Sequence, residues 1–384
     1  MFERTLKAKL LELKDQFPVI AILGPRQSGK TTLARTLFSD YRYVNLEDFE
    51  EQEFAQKDPK GFLIRFRNEK GVILDEIQKA PKILSYIQLE VDENDQLGRF
   101  ILTGSQNILL NQHVSQTLAG RVGLTTLLPL SIEELRQANR LPESAIDAVF
   151  RGFYPRGYHH HIDPVVFADS YIRTYLERDV RDIKQITSLS DFQKFLRLCA
   201  ARIGQLLNLS DLAVATGVSL ATVKSWLSIL EASYVIFLLQ PYYENFNKRI
   251  VKMPKLYFYD TSLACNLLRL TSEDNVYEHY LRGGLFESMI LSDLMKQRFH
   301  RGLPPNLYFW RDKTGLEVDG ILEIDGKIQA VEVKSTATIQ SSLFENLEKW
   351  STLAEVSQEE GVVIYAGNEE QKRKNGHIRS WKMI

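Results

Sequence analysis

Gly24-Pro25-Arg26-Gln27-Ser28-Gly29-Lys30-Thr31-Thr32 follows the pattern G-x-x-x-x-G-K-[ST]. An apolar, β-prone run from Val19 to Leu23 precedes it, and a helix-like stretch from Thr32 to Phe38 follows. Strand, glycine-bearing loop and helix in that order predict a phosphate-binding loop at the edge of an α/β sheet. The glycines let successive backbone N–H groups turn inward around phosphate oxygens, at the positive end of a helix. Lys30 would reach the β- and γ-phosphates of a nucleoside triphosphate, and the Thr31 hydroxyl would ligate Mg²⁺.

Such a loop needs a second strand ending in an acid. Gly71-Val72-Ile73-Leu74-Asp75-Glu76 supplies it. Asp75 would hold Mg²⁺, and Glu76 would act as general base on the attacking water, the arrangement for hydrolysis. A third run, Arg99-Phe100-Ile101-Leu102-Thr103, should lie beside it, with its carboxyl end at the ligand crevice. Thr103 and Ser105 are therefore sensor candidates for the γ-phosphate, although polar residues also simply end strands. A strand from Leu124 to Leu128 and one from Tyr43 to Asn45 complete a five-stranded core. Charge on the γ-phosphate calls for an arginine, supplied in cis or by a neighbour. Arg121, Arg173 and Arg178 are the candidates, against the plainer reading of each as a surface ion pair.

Residues 131–170, with their prolines and the His159-His160-His161 run, read as a connection between domains. Three adjacent histidines cannot all face one metal on regular structure, so a solvated loop is the reading there. A helical stretch from Ser188 to Ile203 leads to a helix-turn-helix pattern. Ser210 is read as the cap of its first helix, Gly217 as the break, and Ser219 as the cap of the second. Val223, Trp226, Leu227 and Leu230 make an inward stripe; Thr222, Lys224, Ser225 and Ser228 face outward, small and polar enough for a major groove. Tyr234 to Gln240 is β-prone, as a wing should be. Lys248, Arg249, Lys252 and Lys255 are candidate phosphate contacts. The same module can instead pack on an ATPase core as a lid.

Further on, a helical run from Leu285 to Leu294 carries Glu287 on its apolar stripe, where a carboxylate needs a partner. Two β-prone runs then flank Asp325-Gly326, a strong two-residue hairpin signal. That turn pairs Ile324 with Lys327, which sets Asp319 opposite Glu332 and Glu317 opposite Lys334. Opposed side chains have Cβ atoms about 5 Å apart, and like charges there repel, so the pair asks for a cation. Lys334 shares the face of Glu332. The plainer reading is a salt-bridged, solvated sheet face.

The chain has 384 residues, 44% hydrophobic and 25% charged, the profile of a soluble multidomain protein. A net charge of −1 argues against a globally basic nucleic-acid binder and leaves room for a local basic face. No apolar run approaches a membrane span, and Met1-Phe2-Glu3-Arg4 is not a signal-peptide start. Cys199 and Cys265 lack metal-ligand spacing and read as buried thiols in a reducing cytoplasm.

GPRQSGKTTL, YVNLED, GVILDEIQ, FILTGSQN, TLAGRV, LPLSIEEL, YIRTYLERDVR and KLYFYDTSLACNLL occur in this order. Together they resemble a prokaryotic family of AAA-type ATPases with a C-terminal domain of unknown function. Arg151-Gly152-Phe153-Tyr154-Pro155 departs from the family's usual Gly-Gly-Tyr-Pro turn. The resemblance implies an AAA-like P-loop ATPase domain over residues 1–135 and a connecting or lid segment over 136–187. It implies a winged helix-turn-helix over 188–255 and a restriction-endonuclease-like (PD-(D/E)XK) α/β domain over 256–384. It also implies ATP and Mg²⁺ at the loop. Glu287, Asp319 and Glu332 would hold a second Mg²⁺ or Mn²⁺, with Lys334 orienting the attacking water. The partners expected are DNA and further copies of the chain, with no membrane. The alternative is an ATP-dependent scaffold switch for a protein partner, its nuclease-like domain catalytically silent.

Overall fold

All five residues of Val19–Leu23 (β1) are buried, and their side chains alternate between two cores. Val19, Ala21 and Leu23 join one cluster with Leu74, Leu102 and Ile87, while Ile20 and Ile22 join another with Leu10, Leu33 and Phe38. A strand buried on both faces is the mark of a parallel sheet covered by helices on each side. Arg42–Asn45 (β2), Val72–Asp75 (β3), Phe100–Gly104 (β4) and Val122–Thr126 (β5) complete that sheet, in the order β2-β3-β4-β1-β5. All four pairings are parallel.

This computed structural model describes residues 2–94, 96–104, 116–176, 188–242, 252–324, 326–357 and 360–384. Ser105, Arg178, Lys248, Arg249 and Asp325, singled out in the sequence, lie outside the described residues. The chain divides into two units. The first comprises Met1–Leu130, Ala232–Tyr234 and Lys296–Pro304; the second comprises Ser131–Glu231, Val235–Met295 and Pro305–Ile384.

In the first unit β5 begins two residues earlier than expected, because Val122 pairs with Val19 at the start of β1. The helix after the loop spans Lys30–Leu37, starting inside the glycine-rich motif. Gly29, at a φ of 95°, is its N-cap, and that left-handed conformation lets the chain enter the helix without a straight approach.

The second unit opens with four helices in the stretch read as a connection between domains: Ile132–Gln137, Ala145–Arg151, Pro155–His160 and Pro164–Tyr171. Local caps explain each start. Ser131 and Glu134 form a capping box, the Ser144 hydroxyl accepts from Asp147 N, Asp163 accepts from Val165 N and Val166 N, and prolines occupy first helical positions. His159 and His160 end the third helix on its exposed side. The turn that departs from the family pattern is held by Asp260, which accepts from Phe153 N at 2.6 Å. A Cβ on Gly152 would stand 2.2 Å from Asp260 Oδ1.

Leu189–Ala200 packs Phe192 and Phe195 against Trp226, with ring centroids 5.3 and 5.2 Å apart. Trp226 belongs to Leu220–Ala232, which follows Leu209–Thr216 at 104°. Asn208 caps the first of these two helices in place of Ser210, accepting from Ser210 N and Asp211 N at 3.0 and 3.3 Å. Gly217 ends it in a left-handed conformation, and the Ser219 hydroxyl accepts from Thr222 N. Ile236–Leu239 (β6) then pairs antiparallel with Lys255–Phe258 (β7).

Six further strands are Leu307–Arg311 (β8), Glu317–Ile324 (β9), Lys327–Lys334 (β10), Val362–Tyr365 (β11), Gln371–Arg373 (β12) and Gly376–Ser380 (β13). Their order is β12-β13-β11-β10-β9-β8. β9 and β10 pair in the expected register from Ile324–Lys327 to Gly320–Val331. Beyond that the Asp319 carboxylate takes the Val333 N–H at 2.8 Å, a donor that the ladder would otherwise use. The core beneath contains Trp310, Ile321, Ala330, Phe344 and Trp350. Cys199 and Cys265 are buried free thiols, and burial pushes both of them up in pKa. Among the described residues no single helix is long and apolar enough to cross a membrane.

Candidate functional site

Parallel strands direct their carboxyl ends to one edge, and in the first unit that edge gathers the motif residues. The loop Gly24–Gly29 leaves β1 there, Asp75 ends β3 and Thr103 lies near the end of β4. Gly24 has no room for a side chain, because a Cβ would sit 2.1 Å from the Leu127 carbonyl oxygen. Lys30 Nζ donates to the carbonyls of Gly24 (3.0 Å) and Pro25 (2.7 Å), which holds the ammonium over the loop. Arg4 braces the loop from the N-terminus, donating to the carbonyls of Ser28 and Leu128 at 2.6 and 2.7 Å.

Asp75, 5% exposed, receives three hydroxyls. Thr31 Oγ1 lies 2.9 and 3.0 Å from its two oxygens, Tyr43 donates to Oδ2 at 2.9 Å, and Thr103 donates to Oδ1. Thr103 Oγ1 also accepts from the Glu76 N–H at 3.3 Å, and Gln78 donates to the Glu76 carboxylate. Glu76 itself has a φ of 58°, a left-handed conformation that is strained for a side-chain-bearing residue. Burial first, and then the charge of Asp75, hold the Tyr43 phenol well above its ordinary value, so it remains a donor. A threonine hydroxyl beside a carboxylate is an oxygen donor set that suits Mg²⁺.

Arg121 is elsewhere. It precedes β5, and its carbonyl accepts from Val19 N at the start of β1, the opposite end of the strand from the loop. Five strand residues separate the two ends by about 16 Å. Its guanidinium is held by Asp92, with Nη2 2.9 Å from Oδ2. Within one chain, therefore, Arg121 does not reach the loop. Arg173 pairs with Asp169 on the surface at 3.1 Å.

In the second unit a cluster of charges forms where β7, β9 and β10 meet the helix Arg282–His300. Lys255, expected as a phosphate contact, is instead 2% exposed. Its Nζ donates to Glu287 Oε1 at 3.0 Å and bonds Glu317 Oε1. A buried ammonium requires such partners, which is why it cannot serve as a surface cation. Tyr257 also donates to Glu287 Oε1, and Arg311 pairs with Glu317 Oε2 at 2.8 Å. Glu317, which the expected hairpin register sets opposite Lys334, is thus bound to Lys255 and Arg311. Lys334 bonds Glu332 at 2.6 Å, and Asn346 donates to the same oxygen at 3.2 Å.

Burial pushes Glu287 up to about 7 against the pull of Lys255, and Glu332 up to about 8 with the charge of Asp319 adding to it. Burial also raises Asp319. Burial acts to lower Lys255, but the surrounding carboxylates outweigh it and hold the ammonium charged. The carboxylates that converge differ from the set the resemblance implies, since Glu317 takes the place of Glu332 beside Glu287 and Asp319. One oxygen each of Glu287, Glu317 and Asp319 lie within 4.8 Å of one another, and the Lys255 ammonium binds two of those residues.

Tyr43, Arg4, Glu317 and Lys255 are the residues that sequence reading did not place at these sites. Tyr43 carried one usable signal, a polar tip on the strand next to the acid-bearing one. Arg4 carried none.

Residues 16–136 match the family model described as AAA domain, while 142–274 and 282–383 match two domains of unknown function, DUF8612 and DUF4143. An uncharacterized protein of Mycobacterium tuberculosis is 29% identical over 342 residues, spanning 87% of this chain and 74% of its own. An uncharacterized protein of Methanocaldococcus jannaschii is 23% identical over 352 residues, spanning 84% of this chain and 75% of its own. Among solved structures, a Walker-type ATPase of Pyrococcus abyssi is 18% identical with a TM-score of 0.46, covering 70% of this chain and 96% of that one. The RuvB Holliday junction branch migration motor of Thermotoga maritima is 18% identical with a TM-score of 0.33, covering 61% and 88%. The AAA domain match and the strand order around the loop make the first unit an α/β P-loop NTPase domain.

Proposed function

We propose that this chain is a cytoplasmic, Mg²⁺-dependent ATPase that acts at DNA, its nucleotide state governing what the second unit does. The observation that carries the reading is the Asp75 carboxylate gathering the hydroxyls of Thr31, Thr103 and Tyr43 beside the glycine-rich loop. Thr31 and Asp75 would hold Mg²⁺, which supplies charge neutralisation at the β- and γ-phosphates. Lys30 adds its own positive charge to the same oxygens. Glu76 accepts a proton from the attacking water, and Gln78 and Thr103 fix its carboxylate and backbone. Arg121 would complete the site only on the nucleotide of a second copy, which fits a homo-oligomer.

The paired helices Leu209–Thr216 and Leu220–Ala232, followed by β6 and β7, support a winged helix-turn-helix. The mixed sheet with Asp319, Glu332 and Lys334 supports a nuclease-like fold, read here as a binding module. The reading predicts that ATP turnover responds to DNA. ATPase rates with and without linear and branched DNA, and gel shifts at low salt, test it. Absence of binding together with an unchanged ATPase rate sinks it.

A second reading, an ATP-dependent scaffold switch with a silent nuclease-like domain, is favoured by Val214. This valine on the first of the paired helices is 84% exposed, while Lys224 is the one cation on the outer face of the second. A protein partner captured by Glu76→Gln in ATP, and not by Lys30→Ala, would support that reading over the first.

A further inference from the structure

Lys255 stands on a backbone that is fixed on both sides. It pairs with Leu239 in β6 and bridges to Leu206, and the neighbouring Pro254 carbonyl accepts from Leu207 N at 2.8 Å. From that position its ammonium enters a group of oxygens from Glu287, Glu317 and Asp319 that lie within 4.8 Å of one another. Converging carboxylate oxygens are the donor set of a hard divalent cation. Here a covalently attached monovalent cation serves them.

We infer that Lys255 is the resident cation of this site and competes with divalent metal for the same carboxylates.

Four observations carry this. Glu287 Oε1 already accepts from both Lys255 and Tyr257, so it has little capacity left for a metal. Its other oxygen lies close to Gly204, where a built Cβ would stand 3.4 Å from Oε2. Four carboxyl groups (Glu287, Glu317, Asp319, Glu332) and three basic side chains (Lys255, Arg311, Lys334) are engaged with one another here. Among the described residues Glu332 Oε2, on a residue 2% exposed, has no hydrogen-bond partner. The converging oxygens draw a cation, and the Lys255 ammonium bound to them repels any second one at close range. A metal ion enters only when the ammonium leaves.

The test is Mn²⁺ titration of the nucleotide-free full-length chain, read by the electron paramagnetic resonance of free Mn²⁺ and by thermal melting. Lys255→Met is expected to bind Mn²⁺ at least about tenfold more tightly than the wild type. Its Tm should rise with Mn²⁺ where the wild-type Tm does not. Adding Glu317→Gln should remove the gain. Equal affinity in wild type and Lys255→Met, or a gain that survives Glu317→Gln, overturns the inference. Should Lys255→Met fail to fold, Lys255→Gln, which keeps a neutral donor for Glu287 and Glu317 and leaves all three carboxylates in place, is compared in the same way. The outcome is independent of whether the P-loop hydrolyses ATP.

Discussion

The Tyr43 hydroxyl donates to Asp75 Oδ2 across 2.9 Å, from the strand next to the one that Asp75 ends. Asn45 and Asp75 are paired in the register, so Tyr43 reaches forward along its strand to meet the carboxylate. The contact fixes the orientation of an oxygen pair that also receives Thr31 and Thr103. Removing it leaves the carboxylate in place with two of the three hydroxyls that orient it. Tyr43→Phe is therefore expected to lower ATPase activity by about tenfold, the usual cost of losing a group that orients a metal-binding carboxylate. The loss should be partly recovered at high Mg²⁺, which a merely destabilised protein would not show. Steady-state rates over a Mg²⁺ series check it.

Glu76 and Lys30 separate binding from chemistry. Glu76→Gln keeps the shape and the contact with Gln78 but cannot take a proton, so turnover should fall by about 10²- to 10⁴-fold with ATP still bound. Lys30→Ala removes the ammonium held by Gly24 and Pro25 and should lose ATP binding itself. Fluorescent-nucleotide binding alongside phosphate release distinguishes the two. Weak ATP binding by Glu76→Gln would assign Glu76 a role in holding the loop.

Gly152 ends the helix Ala145–Arg151 at a φ of 65°, and a Cβ there would collide with Asp260 Oδ1 at 2.2 Å. Asp260 is the N-cap of Thr261–Leu267 and also accepts from Phe153 N, so it cannot move aside without releasing two N–H groups. Gly152→Ala should destabilise the second unit by about 1–3 kcal/mol through strain and lost caps. Thermal melting checks it, and a Tm equal to wild type would show that the turn tolerates a side chain.

Much of this was legible in the residues, for identifiable reasons. The loop at Gly24–Thr32 and the acid at Asp75 announce themselves because both chemistry and backbone demand those types at those spacings. The apolar runs of β1, β3 and β4 are buried on both faces and leave little ambiguity. The four helices between Ile132 and Tyr171 were hidden by their brevity, since six to eight residues hold too few turns for a clear apolar period. Their caps at Ser131, Ser144 and Asp163 were the usable signal. Lys255 was misread because a lysine beside a proline at a strand start usually faces water. Only the fold brings Glu287 and Glu317, distant in sequence, to its ammonium.

Glu332 gives the second unit a pH dependence whose sign follows from its burial. Its carboxyl titrates at about 8 in the folded chain against 4.5 for an ordinary glutamate, because burial and the charge of Asp319 outweigh Lys334 and Asn346. Between those two values the folded chain holds a proton that the unfolded chain has released. Stability from this group is therefore fully present below pH 4.5, falls as pH rises, and levels off once pH passes about 8. Glu287, raised to about 7, adds a loss of the same sign over a narrower window. Glu332→Gln removes the titration while keeping an acceptor for Lys334 and Asn346, so its Tm should decline less with pH across that window. Thermal melts of wild type and variant across the window measure the difference in slope. Parallel curves would mean that Glu332 is ionised in the fold, with Lys334 alone sufficient to hold its charge.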